Sequence, residues 1–141
     1  MITALMCLVV AIADGDTLTA LCNDNQQIKI RLAEIDAPEK AQPFGNRSKQ
    51  SLADMCFQKQ AEIKPQTKDR YGRTVARVIC DDTDANAEQI KRGMAWVYDK
   101  YVKDRGLYAL QDEARAANVG LWGDADPVKP WEYRKANKKS R

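Results

Sequence analysis

The sequence predicts an α+β domain built on a small antiparallel β-barrel. Three observations carry that expectation. Strand-like segments crowd the first half of the chain and helix-like segments the second, without the regular strand–helix alternation of a parallel sheet. The chain has 141 residues, enough for one core and too few for a second catalytic domain. Its 44% hydrophobic and 30% charged residues are ordinary globular values that disfavour disordered, collagen-like and coiled-coil classes.

The elements follow in order. Ile2 to Ala13 is a nearly unbroken apolar run that stops at Asp14-Gly15-Asp16-Thr17. No Lys or Arg precedes it as in a signal peptide, and about twelve residues are too few to span a bilayer, so it reads as a buried strand entering a tight turn. Residues 3–13 and 17–22 then pair as a hairpin. For a two-residue turn centred near Asp14-Gly15, opposed residue numbers total about 29. Cys7 and Cys22 meet that condition, which predicts a cross-strand Cys7–Cys22 disulfide.

Ile28, Ile30 and Leu32 alternate with Lys29 and Arg31, giving a strand with one apolar and one cationic face. The alternation fails at Ala33-Glu34-Ile35, which signals a bulge or bend before Asp36-Ala37-Pro38-Glu39. Pro38 holds Ala37 extended and so fixes its carbonyl. Helical spacing of Leu52, Met55 and Cys56 predicts a helix from Asn46 to Phe57, followed by strands over Gln60–Gln66 and Thr74–Cys80. Asp84 or Asn86 caps a helix that runs to Arg92 and stops at Gly93. A last helix carries Leu107, Leu110, Ala114 and Ala117 as an apolar stripe and ends near Gly120. Trp96, Trp122 and Trp131 read as packing residues.

Composition excludes several chemistries. There is no histidine, so paired-histidine ribonuclease chemistry, Ser-His-Asp hydrolysis and histidine-ligated zinc are all ruled out. Carboxylates, guanidiniums, tyrosines or hard metals must do any catalysis. The four cysteines, Cys7, Cys22, Cys56 and Cys80, have no CxxC spacing, against a zinc ribbon or a thioredoxin-like redox motif. Their even number suits two disulfides, with Cys56–Cys80 as the second pair; free buried cysteines are the alternative. The net charge of +3 is concentrated at the end of the chain, in Arg134, Lys135, Lys138, Lys139 and Arg141. This divides the chain into one domain over residues 1–133 and a basic, mobile tail over 134–141, either a phosphate-binding arm or a solvated terminus.

Three segments gather carboxylates and guanidiniums in turns: Asp14-Gly15-Asp16-Thr17 after an apolar strand, Arg31-Leu32 through Asp36-Ala37-Pro38-Glu39, and Asp69-Arg70-Tyr71-Gly72-Arg73. Each alone is commonplace. In combination and in this order they resemble the staphylococcal nuclease family, from about Val9 to Trp122. The resemblance implies a five-stranded OB-type barrel with about three α-helices, and a calcium-dependent phosphodiesterase, an endonuclease acting on DNA and RNA.

Position by position, the resemblance makes Asp16 and Asp36 carboxylate ligands of Ca2+ and the Ala37 backbone carbonyl a third. The chemistry agrees, because calcium takes oxygen ligands in irregular geometry and keeps several waters. Arg31 and Arg73 match the pair that clamps the phosphate, a task suited to a planar, permanently charged fork. Glu39 matches the glutamate that holds or deprotonates the attacking water. Either role uses the same residue, since a carboxylate is a weak base unless its environment raises its pKa. Tyr71 matches a substrate-binding tyrosine, Arg70 stands where lysine is frequent, and Tyr98 and Tyr101 stack a base or simply pack.

Two other readings use the same residues. A catalytically inactive module of this fold would hold nucleic acid or peptide, and a secreted, calcium-stabilised structural domain would leave the two arginines unused. The catalytic reading is favoured because all five polar positions are present. The implied partners are DNA and RNA substrates, with no membrane and no obligate protein partner, and the chain is expected to be a monomer. Cysteine pairing and the family's habit of export predict a periplasmic or secreted protein rather than a cytoplasmic one.

Overall fold

A computed structural model of the chain describes residues 4–23 and 25–138. Strands β1 (Leu5–Asp14) and β2 (Thr17–Cys22) form the expected antiparallel hairpin. Thr3, the first residue of the expected strand, lies outside the described residues. The turn falls on Gly15 and Asp16, slightly later than expected, because Asp14 pairs with Thr17. Register shifts between Val9 and Ala11 and between Ile12 and Asp14 absorb the difference, so Cys7 still faces Cys22, and a disulfide joins them. The apolar run is not buried throughout. Cys7 and Val9 lie in the core and Met6 is exposed, as befits a strand with only one face on the barrel interior.

Strand β3 (Gln26–Leu32) pairs antiparallel with β2, burying Ile30 and Leu32 and leaving Arg31 on the outer face. The predicted break follows: Ala33 and Glu34 form a turn, with Glu34 at φ 71°, before the short β4 (Ile35–Asp36). Helix α1 (Gly45–Cys56) leads to β5 (Gln60–Lys68), antiparallel to β1, and to β6 (Thr74–Cys80), antiparallel to β5. The barrel closes where β6 meets β3, through Ile30 and Thr74, Arg31 and Val75, and Leu32 and Ala76. This closing pair is parallel, as a crossover connection of this length permits. The five strands β1, β2, β3, β5 and β6 thus make a mixed barrel, antiparallel at every other seam.

Beyond it come β7 (Thr83–Asp84), α2 (Ala85–Lys91), β8 (Trp96–Val97), α3 (Gly106–Ala116), a 3-10 turn over Gly120–Gly123 and α4 (Pro130–Lys138). Of the two candidate caps for α2, Asp84 does the capping, accepting from the Ala87 amide at 3.1 Å. Asn86 is instead fully buried, linking the Val78 amide to the carbonyls of Ala33 and Ala76. On α3 the stripe holds for Leu107 and Ala114, but Ala117 is the exposed C-cap residue.

Helix α4 extends into the basic segment that begins at residue 134 and continues through Lys138. It also brings the α-helices among the described residues to four. Lys139 and Arg141 lie outside the described residues.

Val9, Leu18, Ile30, Leu32, Ile63 and Val78 fill the interior of the barrel, and Leu52 of α1 and Ile90 of α2 pack against it. Each such side chain contributes roughly 1.5–3 kcal/mol on burial. A Cys56–Cys80 disulfide fastens the end of α1 to β6, so the bridge, not the free thiols, is the arrangement adopted. A second cluster of Trp96, Ala114, Leu121 and Trp122, with Phe44 and Trp131 against it, joins α3 and α4 to β8.

Candidate functional site

The β1–β2 turn, the β3–β4 bend and the segment after β4 meet at one end of the barrel. Asp16 sits in the turn and is buried. Its Oδ1 accepts from the Thr17 hydroxyl at 2.9 Å and its Oδ2 from the Ala37 amide at 2.8 Å. The Ala37 backbone therefore lies against the Asp16 carboxylate. Asp36, in β4, is 0% exposed, held in place by the pairing of β4 with Trp96 of β8.

Arg31 joins the two acids. Its Nη1 donates to the carbonyls of Leu32 at 2.8 Å and Ile35 at 2.9 Å. These bonds use the bend itself to fix the plane of the guanidinium. Its Nη2 lies 3.1 Å from Asp36 Oδ1 and 3.4 Å from Asp16 Oδ2. The sequence pattern set Arg31 on the outer face of β3, and the bend then carries Asp36 round to it.

Glu39 follows Pro38, and its amide donates to Gln42 Oε1 at 3.0 Å. Gly45, at the start of α1, allows the helix to approach this segment: a Cβ there would stand 2.1 Å from the Glu39 carbonyl oxygen. The side chain of Glu39 is half-buried and faces Arg134 Nη1 at 3.6 Å.

Arg134 was not anticipated at this site. From α4 it donates Nη1 to Asp36 Oδ1 at 3.0 Å and Nη2 to Asp36 Oδ2 at 2.8 Å, with Nη2 also 3.3 Å from the Tyr98 hydroxyl. The signal for its helix is present in the sequence: Pro130 at the first helical position, Glu132 in the first turn and Lys135 and Lys138 in the last.

Burial pushes the Asp36 carboxyl up to about 6, with the Asp16 charge adding to the rise and the Arg134 and Arg31 guanidiniums opposing it. Burial also raises Glu39, against the pull of Arg134 and with help from the charges of Asp16 and Asp14. Asp14, the first residue of the same turn segment, is raised by burial and by Asp16. Arg134 is raised in turn: its hydrogen bonds and attraction to Asp36 outweigh the effect of burial. Asp16, Asp36 and Glu39 thus share the site with the guanidiniums of Arg31 and Arg134.

Arg73 is not part of this acid cluster. It lies immediately before β6, two residues before Val75, the partner of Arg31, where the alternation of the strand continued by one residue sets both arginines on the same outer face of the barrel. Asp69 holds it. Its Oδ2 accepts from Arg73 Nε at 2.7 Å and its Oδ1 from the Arg73 and Tyr71 amides at 3.0 and 2.9 Å. These bonds and the Arg73 charge outweigh burial and keep the Asp69 carboxyl below its usual range.

In the same turn Tyr71 is 69% exposed, and Arg70 donates to its hydroxyl at 2.8 Å. Tyr101 is also exposed, at 54%. Tyr98 is half-buried, with Trp131 stacked on it at 5.0 Å and Tyr101 edge-on at 4.8 Å. Of the two uses open to Tyr98, this geometry matches packing.

A buried network positions the loop after β8. Glu34 accepts the amides of Lys103 and Asp104 on Oε1, both at 2.6 Å, and the Gln66 amide nitrogen on Oε2 at 2.9 Å. Its carbonyl accepts from the Tyr98 amide at 2.9 Å, and Arg77 approaches its carboxylate at 3.6 Å. Sequence spacing marked Glu34 only as part of a bend, since nothing local predicts a partner at residues 103 and 104.

The model of the staphylococcal nuclease homologue family matches residues 29–124 of the chain. An uncharacterized endonuclease of Haemophilus influenzae is 47% identical over 132 residues, covering 94% of this chain and 74% of that protein. A micrococcal nuclease of Shigella flexneri is 42% identical over 141 residues, with 92% and 80% covered. A staphylococcal-like nuclease of Arabidopsis thaliana, CAN1, is 37% identical over 127 residues, 88% of this chain and 39% of that protein.

Proposed function

The chain belongs to the staphylococcal nuclease family and is a nuclease, and from that premise we propose that it hydrolyses DNA and RNA internally, with a calcium ion at Asp16 and Asp36. The convergence of both carboxylates on one nitrogen, Arg31 Nη2, carries this proposal. The donor set suits a hard cation: it is all oxygen, it holds excess negative charge, and a guanidinium already rests on Asp36. Among the described residues no group of three or more His, Cys, Asp or Glu side chains is placed to hold a metal. Two carboxylates would therefore be completed by the Ala37 carbonyl, water and the substrate. Bound there, the ion would supply positive charge for a phosphate oxygen.

The protein's own groups do the rest. Glu39 orients the attacking water, and its raised pKa suits it to accept the water's proton as well. Arg31 has three N–H bonds committed to Leu32, Ile35 and Asp36, which leaves a rigid guanidinium beside the acids to meet the phosphate. Arg73 is anchored by Nε and presents its two terminal nitrogens as a fork. Donors fixed in advance stabilise charge as it builds on the phosphate, at no cost in reorganisation. Tyr71 and Tyr101, exposed beside Arg70 and the Glu34-held loop, take the bases.

All of these side chains come from one chain, so we expect a monomer to suffice. Two disulfides support a periplasmic or extracellular setting. No helix among the described residues is long and apolar enough to cross a membrane.

Digestion of denatured DNA and of RNA in calcium tests the proposal. Both should be cut to short products, and a chelator should stop the reaction. A folded, calcium-saturated protein that retains oligonucleotide without cutting it would make the binding-module reading correct.

A further inference from the structure

Helix α4 reaches back over the site by two contacts. Trp131 stacks on Tyr98, at 5.0 Å and 7° between ring planes, with Trp96 at 6.2 Å. One turn on, Arg134 engages both oxygens of Asp36 and stands 3.6 Å from Glu39. With α4 in place Asp36 is 0% exposed, and its Oδ1 already accepts from two guanidiniums. Its Oδ2 accepts from Arg134 as well, so a divalent ion at the usual 2.3–2.6 Å from oxygen competes with Arg134 at either oxygen.

The two arginines differ in how firmly they are held. Arg31 is 13% exposed and pinned to two backbone carbonyls. Arg134 is 36% exposed, sits on α4 and reaches the site by its side chain alone. Arg134 is the one free to move.

We propose that Arg134 is a tethered cation that competes with the divalent ion for Asp36, so that helix α4 sets the affinity of the metal site. The inference rests on Asp36 being a metal ligand. Arg134 neutralises the buried carboxylate until an ion arrives and must swing away for it to bind. Metal affinity is then weaker than the acids alone would give, and helix α4 tunes it.

Calorimetric titration of the full chain with calcium chloride, without nucleic acid, tests this on four proteins: wild type, Arg134→Ala, Arg134→Gln and Asp36→Asn. Both Arg134 variants should bind calcium roughly five-fold more tightly, the scale of a part-exposed bidentate ion pair. Asp36→Asn should abolish binding. Unchanged or weaker affinity in the Arg134 variants, with wild-type binding still lost in Asp36→Asn, overturns the competition and leaves the metal site standing. Wild-type binding that survives Asp36→Asn, or no binding in any of the four, overturns the metal site and the competition with it.

Discussion

A Cβ placed on Gly15 would lie 1.7 Å from the hydroxyl oxygen of Ser48. The turn that carries Asp16 is thus pressed onto α1, and Gln89 of α2 secures it by donating to the Gly15 carbonyl at 2.7 Å and the Ser48 carbonyl at 3.0 Å. Gly15→Ala should cost about 1–3 kcal/mol of stability, the range for overpacking, and weaken calcium binding by moving Asp16. Adding Ser48→Gly removes the closest clash and should recover part of both losses. Denaturant unfolding and calcium titration of the single and double variants check this; a double variant no better than Gly15→Ala would show that the contact does not position the turn.

Arg73 makes its side-chain contacts with the turn that holds it, so its removal should leave the fold intact. Arg73→Ala should lower the cleavage rate by about 10²–10³, the scale for one preorganised donor, with a melting temperature close to wild type. Asp69→Asn, which loosens the anchor but keeps the guanidinium, should fall between the two. Initial rates on denatured DNA decide the matter, and a rate within a few-fold of wild type for Arg73→Ala would remove it from the phosphate clamp.

The raised pKa of Asp36 has a definite consequence for the metal-free protein. Its folded value of about 6 lies above the ordinary 3.8, so the native state holds the proton more tightly than the unfolded chain does. The stability this gives is present at low pH and is lost as pH rises through that window. Relative to Asp36→Asn, the wild type should therefore lose on the order of 2–3 kcal/mol between about pH 4 and 6.5 in chelator. Paired unfolding curves across that range measure it. A wild-type curve that runs parallel to the variant's would mean that the carboxylate is not under this strain.

Glu34 binds the loop that follows Tyr98. Glu34→Ala leaves the Lys103 and Asp104 amides without their acceptor and takes one carboxylate from Arg77. It should cost roughly 2–4 kcal/mol and speed amide exchange at residues 103 and 104. Because Arg77 keeps Asp84 and Asp104 as partners, the lower part of that range is favoured. Exchange at those amides unchanged from wild type would exclude the clamp.

Much of this architecture is legible in the sequence because it is local. Alternation of Ile28, Ile30 and Leu32 with Lys29 and Arg31 sets the face of β3, and the failure of that alternation at Ala33-Glu34-Ile35 marks the bend that brings Asp36 back to Arg31. The Cys7–Cys22 register is reached by a less direct route, since a later turn is compensated by two bulges. Helix α4 is harder to read because its position depends on contacts made far away in sequence, Trp131 on Tyr98 and Arg134 on Asp36. Its basic composition resembles a solvated terminus, and only Pro130 and the order of its charges mark a helix. Glu34 and Gln89 are hidden for the same reason, being polar residues whose partners are supplied by the fold.

In the proposed mechanism Asp16 and Asp36 hold the ion while Arg31 and Arg73 hold the phosphate. The most direct measurement is a crystal structure of the protein with calcium and a short oligodeoxynucleotide, the ion located by its anomalous scattering. We expect one ion coordinated by the Asp16 and Asp36 carboxylates, with a phosphate within hydrogen-bonding distance of both Arg31 and Arg73. An ion bound away from those two aspartates, or a backbone phosphate that touches neither arginine, would contradict it.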